Sequence, residues 1–144
     1  VPAPGPAEPE EPTVKYMLQI YSDPDSWGHP IFLRTPEAEA MSGEERDAMV
    51  ARLDALLKEI TESGELVGGE ALADPVNART VRVRDGVPAT TDGPFSESKE
   101  QLAGYFVVDC ESLERATEIA ARFPDARFAA VEVRPIMDPS GQEM

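Results

Sequence analysis

Apolar and polar residues alternate over residues 14–21, with Val14, Tyr16, Leu18 and Ile20 on one side and Lys15, Met17, Gln19 and Tyr21 on the other. A period of two marks a strand with one buried face. Residues 23–39 are rich in Pro, Asp and Gly and read as a long loop holding at most a short helical turn. The period then changes to that of a helix. Ser42 and Glu45 form a capping box, Met49, Leu53, Leu56, Leu57 and Ile60 make one apolar stripe, and Gly64 supplies the stop.

Residues 65–72 and 79–84 read as strands, and Asp85-Gly86 is a hairpin signal that returns the chain through Val87 to Thr91. Leu102 to Cys110 is a strand with apolar or aromatic residues on both faces. Ser112 caps a second helix with Ala116, Ile119, Ala120 and Phe123 inside, Pro124 ends it, and a last strand is expected from Arg127 to Ile136. This order is the α+β, ferredoxin-like βαββαβ arrangement with an extra short hairpin strand. Two helices cover one face of such a sheet. The other face is expected to show Met17, Tyr21, either Tyr105 and Val107 or Phe106 and Val108, and Phe128 with Ala130. An apolar face of that extent marks an interface, so the expected assembly is a homodimer in which two sheets meet as an α+β barrel.

The ends differ in character. Residues 1–13 hold five of the fourteen prolines, three glutamates and no basic residue, so an extended tail is expected there, a domain over 14–137, and a frayed terminus over 138–144. The whole chain of 144 residues suits one domain. Its 13 basic against 28 acidic residues give a net charge of −15, which argues against binding nucleic acid through phosphates. No apolar run approaches the length of a membrane span, about 18–20 residues. The single cysteine, Cys110, lies in an apolar run and reads as a buried thiol, and a reducing cytoplasm is the expected compartment.

The candidate chemistry lies in Thr91-Asp92-Gly93-Pro94-Phe95-Ser96-Glu97-Ser98-Lys99-Glu100. Gly93 and Pro94 hold Asp92 on a rigid corner, and an Asp, a Lys and a Glu converging at a sheet end can transfer protons. The same residues also suit a tight turn followed by a solvated charge pair. His29 is the one imidazole, either a base near neutral pH or a loop residue beside Trp27. Asp23, Asp25 and Gly28 match the start of a calcium loop, but Arg34 stands where a Glu is required. One His and one Cys exclude the usual zinc sets, no metal or cofactor is expected, and no phosphate loop or dinucleotide fingerprint is present. Arg79, Arg82 and Arg84 alternate on one strand, where they hold an anion or guard an exposed edge.

The chain resembles the YCII-related proteins, and within them the DGPF-domain group. The matching residues are Lys15-Tyr16-Met17-Leu18 with Ile20-Tyr21, Gly68-Gly69-Glu70 with Leu72, and Thr80 to Gly86. They continue with Thr91 to Phe95, Glu97, Lys99 to Gln101, Gly104-Tyr105 and Val131 to Pro135. The resemblance implies a dimeric α+β barrel, a cleft serving as active or ligand site, and association with extracytoplasmic-type sigma factors. It further implies small enzymes acting on aromatic or lactone-like compounds through a His and an Asp, carried here onto His29 and Asp92. One expectation is therefore a dimer that binds a small molecule and moves protons on it. Asp92 is then the acid or base, Lys99 its electrostatic partner, and Glu100, Tyr16, Tyr105 and Phe95 the ligand contacts. The other is a non-catalytic interaction protein engaging a sigma factor.

Overall fold

The computed structural model describes residues 12–141, so most of the expected tail and residues 142–144 lie outside the described residues. Strand β1 is Val14–Ser22, followed by 3-10 turns at Pro24–Ser26 and Ile31–Arg34, then helices α1, Pro36–Glu39, and α2, Gly43–Glu62. Strand β2, Leu66–Ala71, leads through a 3-10 turn at Pro75–Asn77 to β3, Arg79–Arg84, and β4, Val87–Asp92. Strand β5, Gln101–Cys110, is followed by α3, Leu113–Ala121, α4, Asp125–Phe128, and β6, Ala130–Pro135.

Four strands form an antiparallel sheet in the order β2-β5-β1-β6, which is compatible with a ferredoxin-like fold. Alternation on β1 decides which face is buried. Leu18 lies opposite Phe106 and Val133, and Tyr16 opposite Val108, so these side chains share the helix-covered side. There they meet Leu56 and Ile60 of α2, Ala116, Ile119 and Ala120 of α3, and Phe123. Both long helices start where a hydroxyl ends the extended chain: Ser42 Oγ accepts from the Glu45 N–H at 3.1 Å and Ser112 Oγ from the Arg115 N–H at 3.1 Å.

Three sequence expectations require correction. The hairpin adds no strand to the sheet; β3 and β4 pair only with each other, as a separate ribbon turned by Asp85 and Gly86, both at positive φ. The last strand begins at Ala130 and not at Arg127, because residues 125–128 form a helical turn. Phe128 consequently leaves the open sheet face and stacks on Phe32 with centroids 6.4 Å apart. The open face carries Lys15, Met17, Gln19 and Tyr21 beside Tyr105, Val107 and Asp109, with Glu132 and Arg134 on β6, and is more polar than the expected apolar surface. At the C-terminal end, residues 138–141 close a turn in which the Gly141 N–H donates to the Asp138 carbonyl. Among the described residues no helix is long and apolar enough to cross a membrane.

One polar cluster ties the helices to the sheet edge. Arg115 Nε and Nη2 donate to the two Glu65 carboxylate oxygens at 2.8 Å each, and Nη1 donates to Glu118 at 2.8 Å. Arg122 reaches Glu59 on α2 at 2.6 Å. Hydrogen bonding to Arg115 lowers the Glu65 pKa below its ordinary value, so this stabilisation is present near neutral pH and is lost as pH falls through the lowered value. Arg115→Met keeps the apolar stem and leaves Glu65 without its partner. It is expected to cost about 1–2 kcal/mol at pH 7, given the partial exposure of the pair. Urea melts of both proteins from pH 7 to pH 3 check this, and the difference should shrink below about pH 4, near the ordinary Glu range.

Candidate functional site

A cleft of about 410 Å³ lies on the helix side of the sheet, at the end where β2 runs out. Its walls are Ile20, Ile31, Phe32, Leu53, Phe106 and Phe123, and its floor is the main chain at Gly69, Ala71, Ala103 and Gly104. The floor is bare because β2 and β5 approach closely. A Cβ on Gly69 would meet the Tyr105 carbonyl oxygen at 2.5 Å, and one on Gly104 would meet the Glu70 carbonyl oxygen at 2.8 Å. Glycine is therefore required by the backbone, and the missing side chains leave space under Leu53 and Phe106.

Four titratable residues border this cleft, His29, Glu70, Tyr105 and Asp125; Glu70 lies opposite Tyr105 in the sheet and shares its open face, which leaves His29 and Asp125 on the cleft side. His29 stands in the loop after β1, whose position is set by the end of β2. The Leu72 carbonyl accepts from Trp27 Nε1 at 3.1 Å and lies 2.7 Å from His29 Nε2. A carbonyl oxygen only accepts, so Nε2 carries the proton and Nδ1 is the basic nitrogen of the neutral ring. The Trp27 and His29 rings meet edge to face at 6.3 Å, as expected for a loop histidine beside the tryptophan.

Asp125, in the first turn of α4, lines the same cleft as His29. Phe123 sits in the core and Pro124 starts the next turn at once, which carries Asp125 beneath the sheet at only 7% exposure. Burial raises its pKa to about 6, against smaller opposing effects from its own backbone amide and from His29. No Lys or Arg side chain lines the cleft.

The residues selected from sequence are distributed differently. Asp92 ends β4 at the root of the ribbon, is 91% exposed, and pairs with Arg79 at 3.6 Å. Phe95 is 75% exposed, with the Arg82 guanidinium 5.1 Å from its ring centroid. Lys99 and Glu100 come together with Tyr21, Ser98 and Glu132 around a shallow depression at the end of β6. Tyr16 belongs to the buried core. Tyr105 borders the cleft, but alternation puts its side chain on the open face opposite Gln19, so its contribution to the floor is main chain. Within one chain the structure thus brings Lys99 and Glu100 together, and gathers neither Asp92 nor His29 with them. Asp125 escaped the sequence reading because it follows a helix-ending proline inside what read as the approach to a strand.

The raised pKa of Asp125 has a measurable sign. Its ordinary value is 3.8, so the folded protein binds this proton more tightly than the unfolded chain, and stability from this group falls as pH rises from about 4 to about 6. Asp125→Asn keeps the shape and removes the buried charge. It is expected to raise stability at pH 7.5 by up to about 3 kcal/mol, with the gain vanishing near pH 4. Paired denaturant titrations across that range check it. Asp92→Asn, on an exposed ribbon, is expected to shift stability by less than about 0.5 kcal/mol in the same assay.

An uncharacterized protein of Rhizobium meliloti (strain 1021) is 35% identical over 99 residues, covering 67% of this chain and 80% of that protein. The model of the YCII-related domain matches residues 14–140, from the first residue of β1 to the turn that follows β6. With nearly all of the described chain inside that match, the protein belongs to the YCII-related family.

Proposed function

We propose that this protein binds a small, uncharged, largely apolar organic molecule in the cleft beneath its sheet and moves a proton on it. The observation that carries the reading is the presence of His29 and Asp125 in the lining of one largely apolar cleft, with Nε2 of the imidazole committed to Leu72. The fixed tautomer leaves Nδ1 as general base. Its proton comes from an acidic carbon or hydroxyl of the ligand, and the Asp125 carboxylate stabilises the resulting imidazolium. The proton then returns to the product at another atom, an isomerisation, or leaves with a departing group, an elimination. The apolar walls hold the ligand beside an imidazole that is itself exposed and a carboxyl that is buried. A cleft bordered by the acidic residues Glu70 and Asp125 and one imidazole, with no ammonium or guanidinium, disfavours an anionic ligand.

The functional unit in this reading is a homodimer joined through the open sheet faces. Met17, Tyr21, Tyr105 and Val107 are half-buried there without a covering layer, and Gln19 Oε1 and Asp109 Oδ1 are out of water with no hydrogen-bond partner among the described residues. A second sheet supplies both the apolar cover and the missing donors. Sedimentation velocity at micromolar concentration should show a dimer, and a monomer would overturn this part.

The chemistry is tested by a thermal-shift screen of phenols, aromatic ketones, lactones and matched carboxylates. Hits are then followed for exchange of their acidic hydrogens in D2O by NMR. His29→Gln retains a donor for the Leu72 carbonyl and lacks a basic nitrogen. It is expected to bind within about threefold of the wild type and to exchange protons about 100-fold more slowly. Equal exchange rates would remove His29 from the chemistry, and preferential binding of the carboxylates would overturn the uncharged ligand class.

A further inference from the structure

His29 is exposed, so water competes for both ring nitrogens and burial does nothing to fix the imidazole's orientation. The loop that carries it has a firmer point two residues earlier. Trp27 closes the 3-10 turn at Pro24–Ser26, its backbone N–H donating to the Pro24 carbonyl at 3.3 Å, and its half-buried indole packs against Ile20, Ile31 and Ala103. Indole and imidazole end on the same atom, the Leu72 carbonyl oxygen.

That oxygen is well placed to hold a ring. Leu72 lies one residue past β2, and its N–H donates to the Ala103 carbonyl at 2.8 Å, so the peptide is still tied to β5 where the chain leaves the sheet. A carbonyl oxygen has two lone pairs. With Trp27 Nε1 donating at 3.1 Å, one acceptor direction remains, and His29 Nε2 takes it at 2.7 Å. The two ring planes stand 83° apart, which sets the imidazole edge to face against the indole.

We infer that Trp27 is a positioning residue for the proton transfer proposed above: its indole N–H, acting through the Leu72 carbonyl, holds His29 in the Nε2–H tautomer and leaves Nδ1 for the ligand. The inference rests on that reading of the cleft. It also accounts for what happens as the proton moves. When Nδ1 takes the ligand's proton the ring becomes cationic, and its Nε2–H bond to the carbonyl strengthens. A carbonyl already held by the indole N–H accepts that stronger bond without rearranging. Packing is the rival role for this indole, and the two roles separate at one atom, since packing uses the ring carbons and positioning uses Nε1–H.

The chain has one tryptophan and one histidine, so each ring can be addressed without touching another residue. Biosynthetic replacement of tryptophan by benzothienylalanine puts sulfur in the place of Nε1–H and keeps the bicyclic shape; Trp27→Phe is the second variant. Ring spectra of untagged protein carrying 15N-histidine, recorded at about pH 8, above the usual imidazole range, report the tautomer and the exchange of the Nε2 proton with water. The wild type is expected to show the Nε2–H form alone. Both variants should show mixed tautomers and Nε2 proton exchange at least about tenfold faster, with the far-UV spectrum unchanged. On a ligand found by the screen above, hydrogen exchange should slow about tenfold while affinity stays within about threefold. Variants that keep the wild-type tautomer, or that change it without slowing the ligand's exchange, would make Trp27 a packing residue and overturn the inference, while a slow His29→Gln leaves the cleft chemistry standing. A wild type that moves no ligand proton, or a His29→Gln variant as fast as the wild type, would overturn the proton-transfer reading and the positioning role with it.

Discussion

Everything in this protein depends on burying one face of the β2-β5-β1-β6 sheet. Burying a large aliphatic side chain contributes about 1.5–3 kcal/mol, and Leu18, Leu56, Ile60, Val108 and Ile119 are all sealed completely at this layer. The strands are held in register by that demand, because a slip of one residue would send Leu18 and Val108 to the open side and Gln19 and Asp109 into the core. Helices α2 and α3 are held by the same layer, and the Arg115 cluster adds a polar tie between their ends and the edge of β2.

The cleft is a local failure of that packing, and it arises from backbone geometry. Where β2 and β5 crowd together, Gly69 and Gly104 leave no side chains to fill the layer. Interiors otherwise pack without voids, so a gap walled by Phe32, Phe106 and Phe123 is a place for something else to sit. The loop after β1 and the turn after α3 both end at this gap. One brings an imidazole whose outer nitrogen is already committed, and the other a carboxyl held in poor solvation. Their pKa logic follows from where the chain happens to be buried.

The ribbon obeys a different constraint. It draws no stability from the core and shows the edge protection of a strand pair that meets solvent or a partner by its faces. Its residues carry three arginines against two aspartates on an acidic molecule. Separating a buried sheet from an exposed ribbon also separates the residues that sequence had placed together into three groups. Asp92 and Phe95 go with the ribbon, Lys99 and Glu100 with the open face, and His29 with the cleft.

Residue order alone determined the elements whose periodicity is local. The alternation of 14–21, the capped stripe from Ser42 to Ile60, the Asp85-Gly86 turn and the Ser112 cap are written within a few residues of each other, and hydrogen bonding follows them directly. The family was legible for the same reason, since its motifs lie along those elements. Tertiary structure alone decided what depends on distance. Whether Tyr105 or Phe106 faces the helices is set by pairing with β1, which a strand apolar on both faces leaves open. Residues 125–128 coil because Phe123 is already committed to the core and Phe128 finds Phe32 across the fold. Asp125 is titratable near neutral pH because of what surrounds it, and its surroundings come from segments nearly one hundred residues away along the chain.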